Sequence, residues 1–310
     1  MKKRHVLSVL DFGAEALVNL VERSVAIAKG EHGSLLLKGQ MAGIYFRGTS
    51  TRTRTSFTVA AHRLGAGVIH YGANDLQIVT GETIQDTARV LSGFLDILVI
   101  RTNESLTEME LFASQNEMAV VNAMSGNEHP TQAIADLTTI RESLGRLSDV
   151  HILYLGEGNN TAASLALAVA QIRGMALTVV TPHGYGLQSE VLIAAQNLGR
   201  DHGAMIEQHH DIDHLPKNVD VVYTTRWQTM GVQKPDPDWK SKFRPYSVTP
   251  SLMARVSKSS DTIFLHDLPA VRGDDVADAV LDGAQSRAFR QAQHKLHSAM
   301  AVLSWCNGQD

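Results

Sequence analysis

Short apolar runs rich in β-branched residues recur along the chain, at Gly43–Phe46, Val68–Tyr71, Ile97–Ile100, Met118–Val121, His151–Leu155, Leu177–Thr181, Val219–Thr224 and Thr262–His266. Runs of this length with little polar alternation predict strands buried on both faces. Between most of them lie stretches of helical length with apolar residues spaced by three and four, such as Thr83–Phe94 and Thr131–Leu144. Alternating strands and helices predict parallel sheets covered by helices on both faces. The chain carries no internal repeat and no low-complexity segment.

The long helical stretch before Gly145 ends there, and a fresh strand starts after Arg146–Val150, which marks a domain boundary. The last helical stretch, from Gln285 to about Trp305, is long enough to cross back onto the first domain. The expected fold is α/β: two doubly wound parallel-sheet domains joined by crossing helices, with a cleft between them. The first domain covers 1–146, with the C-terminal helix at 287–310 packing back on it, and the second covers 147–286. Ligands of open α/β sheets sit off the carboxyl ends of the strands, so chemistry is expected there.

Composition narrows the class of function. With 310 residues, 44% apolar and 19% charged, the chain is long enough for two ordinary folded domains. A net charge of −4 supplies no basic field for nucleic acid or an acidic membrane. The basic start Met1–Arg4 leads into an apolar run that Asp11 and Glu15 interrupt too early for a signal sequence or a membrane span. Cys306 is the only cysteine, so no intramolecular disulfide can form and a cytoplasmic setting is expected.

The segment Phe46-Arg-Gly-Thr-Ser-Thr-Arg-Thr-Arg-Thr-Ser-Phe57 carries the most chemistry. A strand ends at Phe46 and a helical pattern runs from about Thr53 to Leu64, with hydroxyls and two guanidinium groups where they meet. Free backbone N–H groups and the positive end of the helix dipole suit an oxyanion there, and arginine adds a planar fork. A capped helix with solvated arginines is the alternative. The absence of a glycine-lysine pair excludes a P-loop.

Ser50-Thr-Arg-Thr-Arg54 resembles the carbamoyl-phosphate signature of the aspartate and ornithine carbamoyltransferase family. Three further blocks follow in that family's order. Asn74–Ile78 with Gly81–Leu91 resembles the mobile loop and helix of ornithine carbamoyltransferases, His129-Pro-Thr-Gln132 the second signature, and His266-Asp-Leu-Pro269 the third. The resemblance implies that Ser50, Thr51, Arg52 and Thr53 hold the phosphate of carbamoyl phosphate, with Arg54 supporting the loop. It implies that Arg101 bridges phosphate and carbonyl oxygen, and that His129 and Gln132 contact the carbamoyl group. Arg101, His129 and Gln132 would thus be the catalytic residues. It also implies a Leu268-Pro269 turn whose carbonyls meet the carbamoyl NH2, a homotrimer with shared active sites, and Gln77 reaching into a neighbour's site. No cofactor or metal is expected, because the leaving group is already activated.

On the acceptor side the chain departs from the pattern. Ornithine enzymes hold the acceptor's α-amino group with an Asp-x-x-x-Ser-Met-Gly segment, whereas this chain reads Thr225-Arg-Trp-Gln-Thr-Met-Gly231. Thr225 replaces the aspartate and Thr229 the serine, while Met230 is kept. Arg226 and Gln228 match aspartate-enzyme positions that hold acceptor carboxylates. Asp267 stands where ornithine enzymes have cysteine, and Asn160 matches an acceptor-contacting asparagine. Lys295 replaces an arginine near carbamoyl phosphate, and Val79-Thr80 replace a glycine and a basic residue in the mobile loop. The combination suggests a short diamino acid such as 2,3-diaminopropionate, held by Arg226 and Asp267. Ornithine itself is the alternative, and a non-catalytic binding subunit a further one. Gly156-Glu-Gly158 lacks the third glycine of a dinucleotide loop, which argues against a dehydrogenase. His209, His210, Asp211 and His214 match no established zinc spacing and are set aside as a metal site.

Overall fold

The fold was derived from a computed structural model that describes residues 3–31, 35–228, 234–258 and 261–308. Contacts divide the chain into two units, Met1–Thr138 with Gln293–Asp310, and Thr139–Ala292. The division falls inside a helix, earlier than the Arg146–Val150 boundary expected from the sequence, because that helix contributes a turn to each unit.

In the first unit, β1 (Met41–Phe46), β2 (Gly67–Tyr71), β3 (Ile97–Arg101) and β4 (Ala119–Met124) form a parallel sheet in the order β2-β1-β3-β4. Helices α1 (Gly13–Ala28), α2 (Arg52–Arg63), α3 (Ile84–Leu91), α4 (Thr107–Phe112) and α5 (Pro130–Leu144) alternate with them. Strands β3 and β4 are buried at every residue, as their long apolar runs require. Tyr45, Leu98, Ile100, Phe112 and Val120 lie at the centre of one core cluster.

In the second unit, β5 (His151–Leu155), β6 (Ala176–Val180), β7 (Met205–His209), β8 (Val221–Thr224) and β9 (Ile263–His266) form a parallel sheet in the order β7-β6-β5-β8-β9. Its helices are α6 (Asn160–Val169), α7 (Ser189–His202), α8 (Trp239–Phe243), α9 (Pro250–Val256), α10 (Asp278–Leu281) and α11 (Ala288–Cys306), the last continuing into the first unit. Strand β7 escapes a search for apolar runs. It is an edge strand with a half-exposed Met-Ile-Glu-Gln-His pattern, so only one face needs to be apolar.

Both sheets reverse their winding at an interior pair of strands, β1 beside β3 and β5 beside β8. Chains leaving the carboxyl ends of such a pair turn to opposite faces and open a crevice, which is where ligands of this architecture bind. The register puts Phe46 beside Arg101 in the first sheet and Leu155 beside Thr224 in the second. Two candidate edges are thus defined, each within its own unit.

The turn after β5 is held by a close backbone approach. A Cβ on Gly158 would lie 2.3 Å from both the Gly186 carbonyl carbon and the Leu187 nitrogen, and Gly158 N–H donates to the Tyr185 carbonyl at 2.8 Å. Neither backbone neighbour can swing aside as a flexible side chain could. Gly158→Ala should therefore destabilise the folded chain by about 1–3 kcal/mol, read as a lower urea midpoint with unchanged slope.

Candidate functional sites at the two strand edges

At the β1–β3 edge, the chain leaves β1 at Phe46 and enters α2 at Arg52, one residue before the start expected from the pattern. Thr51 precedes the helix without a side-chain cap, so the first-turn N–H groups stay available to an anion. Thr53 is buried, and its hydroxyl accepts from the Arg101 guanidinium at 3.3 Å, which joins the start of α2 to the end of β3. Ser50 and Arg52 are half-buried and Thr51 is exposed beside them. Arg54 points back instead: its guanidinium stacks 5.3 Å over the Phe46 ring and reaches the Gly48 carbonyl at 3.5 Å. Both contacts are with the segment that leads into α2.

Helix α5 and the C-terminal part of α11 complete this group. Gln132 lies on the first turn of α5, where its amide NH2 donates to Asp136 at 2.7 Å and its carbonyl oxygen accepts from the Lys295 ammonium. Gln132, Asp136 and Lys295 are all buried. The anionic partner Asp136 was not singled out from the sequence, although its i+4 spacing from Gln132 on a helix was a usable signal. Lys295 therefore keeps the positive charge of the family arginine and spends one of its hydrogen bonds orienting Gln132. His129 is fully buried; burial, then the Lys295 and Arg101 charges, hold its pKa well below the usual 6.5. It is a neutral imidazole at pH 7, able to donate one N–H to a carbonyl oxygen.

Gln77 sits apart from these residues. It is exposed on a 3-10 turn, Gln77–Thr80, and its amide oxygen accepts from the Thr80 hydroxyl at 2.8 Å. Leu268 lies in the second unit, at the end of β9, with a positive φ of 54° and a cis bond to Pro269.

At the β5–β8 edge, Asn160 begins α6, whose cap is Asn159 accepting from Thr161 N and Ala162 N. Thr225 follows β8, and Asp267 follows β9. The Asp267 carboxylate accepts from the Thr225 hydroxyl at 3.0 Å through one oxygen and from the Thr161 hydroxyl at 3.0 Å through the other. A carboxylate thus lies one hydrogen bond from the side chain that replaced the expected aspartate. Behind it, buried His266 bonds Asp275 at 2.7 Å through Nε2 and accepts from Leu268 N at 2.9 Å through Nδ1. These two contacts fix the tautomer and set the direction of the Asp267–Leu268 backbone. Arg226 is half-buried and makes no hydrogen bond or ion pair among the described residues, and Gln228 lies two residues on. Thr229 and Met230 fall outside the described residues. Thr161 and Asp275 were missed in the sequence because nothing local links them to Asp267.

The histidines set aside earlier are used structurally. His214 pairs with Asp211 at 2.5 Å on the surface, and His210 contacts the Thr181 carbonyl at 2.8 Å. No helix among the described residues is long and apolar enough to cross a membrane.

Comparison with known proteins agrees with this geometry. Residues 4–142 match the family model described as the aspartate/ornithine carbamoyltransferase carbamoyl-P binding domain, and residues 148–306 match that of the Asp/Orn binding domain. An ornithine carbamoyltransferase of Oceanobacillus iheyensis is 38% identical over 307 residues, covering 98% of this chain and 94% of that protein. One from Caldicellulosiruptor saccharolyticus is 39% identical over 303 residues, with 97% of each chain covered. The solved structure of ornithine carbamoyltransferase from Pyrococcus furiosus superposes with a TM-score of 0.90 at 36% identity, over 97% of this chain and 96% of that one.

The neutral buried imidazole has a consequence for stability. Below about pH 6.5 the unfolded chain protonates His129 while the folded chain does not, so stability is present above that pH and is lost as pH falls. His151 is shifted the same way by burial and contributes alongside it. Thermal midpoints measured between about pH 7.5 and about pH 5.5 should fall, and His129→Gln should shrink that fall. An equal fall in both proteins would show that His129 takes up its proton in the fold as readily as in the unfolded chain.

Proposed function

Because the chain belongs to the aspartate/ornithine carbamoyltransferase family and is a carbamoyltransferase, we propose that its acceptor is a diamino acid, ornithine in the first instance. The observation that carries this reading is the Asp267 carboxylate hydrogen-bonded to Thr225. Ornithine enzymes place a carboxylate at position 225 for the acceptor's ammonium, and here the negative charge is supplied from position 267. An ammonium buried without such a partner is costly, so relocating the carboxylate preserves the recognition that replacing the aspartate would have removed. The names of the relatives support ornithine as the acceptor.

In this reading Ser50, Thr51, Arg52 and Thr53 hold the phosphate, and Arg101 donates to phosphate and carbonyl oxygen. His129 donates its N–H to the carbonyl oxygen while Lys295 holds Gln132 toward the carbamoyl NH2. The neutral side-chain amine of the acceptor attacks the carbamoyl carbon, the bond from that carbon to the phosphate oxygen breaks, and the amine's proton is lost. Donors fixed before the reaction stabilise the developing oxyanion without reorganising, each worth about 2.7–4 kcal/mol of barrier. Arg226, which has no partner among the described residues, takes the acceptor carboxylate, with Asn160 and Gln228 beside it. Gln77, exposed on its turn, serves a neighbouring subunit's site in a homotrimer. With a single cysteine no intramolecular disulfide can form, which suits a reducing compartment such as the cytoplasm.

A second reading rests on where the carboxylate is carried. Asp267 directly precedes Leu268, which the family pattern assigns to the carbamoyl NH2, and an α-ammonium paired with Asp267 leaves the second amine only a short reach to that group. That favours an acceptor with a shorter side chain, such as 2,3-diaminopropionate.

The test is phosphate release from carbamoyl phosphate with 2,3-diaminopropionate, 2,4-diaminobutyrate, ornithine, lysine and aspartate, with the product weighed by mass spectrometry. Release with one or more diamino acids and none with aspartate is expected, and the preferred chain length separates the two readings. Turnover of aspartate as good as that of any diamine would refute both. Asp267→Asn should raise the preferred acceptor's KM by about 10- to 100-fold, the loss of one charge-assisted hydrogen bond, and spare the KM for carbamoyl phosphate.

A further inference from the structure

Lys234 occupies an unusual position for a lysine. Its side chain is 5% exposed, and its ammonium is paired with Glu157. Three aromatic rings surround the ammonium: Tyr185 at 4.7 Å, Phe243 at 4.9 Å and Trp239 at 5.5 Å from the ring centroids. A cation over several aromatic faces in a dry site is held much more firmly than one at the surface. Glu157 has no other ion-pair partner among the described residues, and its second carboxylate oxygen is buried with no hydrogen-bond partner there. Burial raises its pKa, and the lysine opposes that shift.

Each part of this box leads to the acceptor edge. Glu157 belongs to the turn between β5 and α6 that ends in Asn160, and Tyr185 is tied to the same turn by its carbonyl, which accepts from Gly158 N–H at 2.8 Å. Trp239 and Phe243 form the two ends of α8, a helix of five residues. So short a helix has little stability of its own and takes its place from what it packs against. Trp227, next to Arg226 and Gln228, stacks on the same Phe243 ring at 5.5 Å. The backbone that aims Arg226 and Gln228 therefore rests on Phe243, and Lys234 fixes Phe243 relative to the Glu157–Asn160 turn.

We propose that Lys234, through Glu157 and the aromatic box, is a positioning residue for the acceptor: it locks the Arg226–Gln228 segment to the Asn160 turn and so sets acceptor affinity. This rests on the acceptor reading above. A methionine would fill the same box with similar volume, so filling space does not require a charge. The ion pair adds direction, since the ammonium must lie on the Glu157 carboxylate and on the ring faces together. The role is separate from the carbamoyl-phosphate residues, all of which except Leu268 lie in the other unit.

The experiment compares unaltered protein with Lys234→Met, Lys234→Arg and the double variant Lys234→Met/Glu157→Gln. Phosphate release is measured with carbamoyl phosphate and either L-ornithine or L-2,3-diaminopropionate. Lys234→Met should raise the acceptor KM by about tenfold or more while the carbamoyl phosphate KM stays within about twofold. Lys234→Arg, which keeps the cation and its stacking, should recover most of the loss. The double variant leaves no uncompensated buried charge and covers the case in which Lys234→Met does not fold. Its acceptor KM should stay raised, because the directional tie is still missing. An unchanged acceptor KM, a parallel rise in both KM values, or a double variant that behaves like unaltered protein would each overturn the assignment. If the unaltered protein releases no phosphate with either acceptor, the acceptor reading itself fails and this inference falls with it.

Discussion

The register between the pair of strands at which each sheet reverses its winding is the constraint on which both sites depend. Parallel pairing sets Phe46 beside Arg101 and Leu155 beside Thr224, at the points where the winding reverses. A shift of one residue along either pair would turn every inward side chain outward. It would also separate the α2 start from Arg101, and the Asn160 turn from Thr225. The unbroken apolar faces of β3, β4, β5 and β8 make such a slip costly, so the cores enforce the chemistry at the strand ends.

Given that frame, the chain handles charge differently at its two edges. The carbamoyl-phosphate edge is cationic and largely buried. Burial, then the Lys295 and Arg101 charges, keep His129 neutral, and Asp136 and Lys295 between them decide which way Gln132 turns. The β5–β8 edge carries a carboxylate that two threonine hydroxyls orient and a half-buried arginine with no partner among the described residues. Oriented donors and an oriented acceptor suit a leaving phosphate on one edge and an ammonium with a carboxylate on the other.

The acceptor edge is also where the chain departs most from the family pattern, and its departures compensate one another. Thr225 lacks the family aspartate's charge, yet its hydroxyl donates to Asp267, which replaces the family cysteine. Around them the His266–Asp275 pair and the Lys234–Glu157 pair hold neighbouring backbone from behind. A positive or negative group in so dry a place is retained when it supplies direction that apolar packing would not.

The sequence by itself determined the two α/β units, eight of the nine strands among the described residues and the start of α2 to within a residue. The resemblance to the carbamoyltransferase family pointed to Arg101, His129 and Gln132. The elements themselves are local features: apolar period, helix-end residues and short spacings survive in a linear reading. Edge strand β7 did not, because a half-exposed strand needs no apolar run. Nor did the partners of the site residues, since Asp267 meets Thr225 and Thr161 at separations of 42 and 106 residues, and Lys295 meets Gln132 at 163. The sequence suggested that Asp267 stands in for the charge missing at Thr225; only the tertiary structure decided that its carboxylate meets the Thr225 hydroxyl, because sheet order, not chain order, sets which strand ends are neighbours.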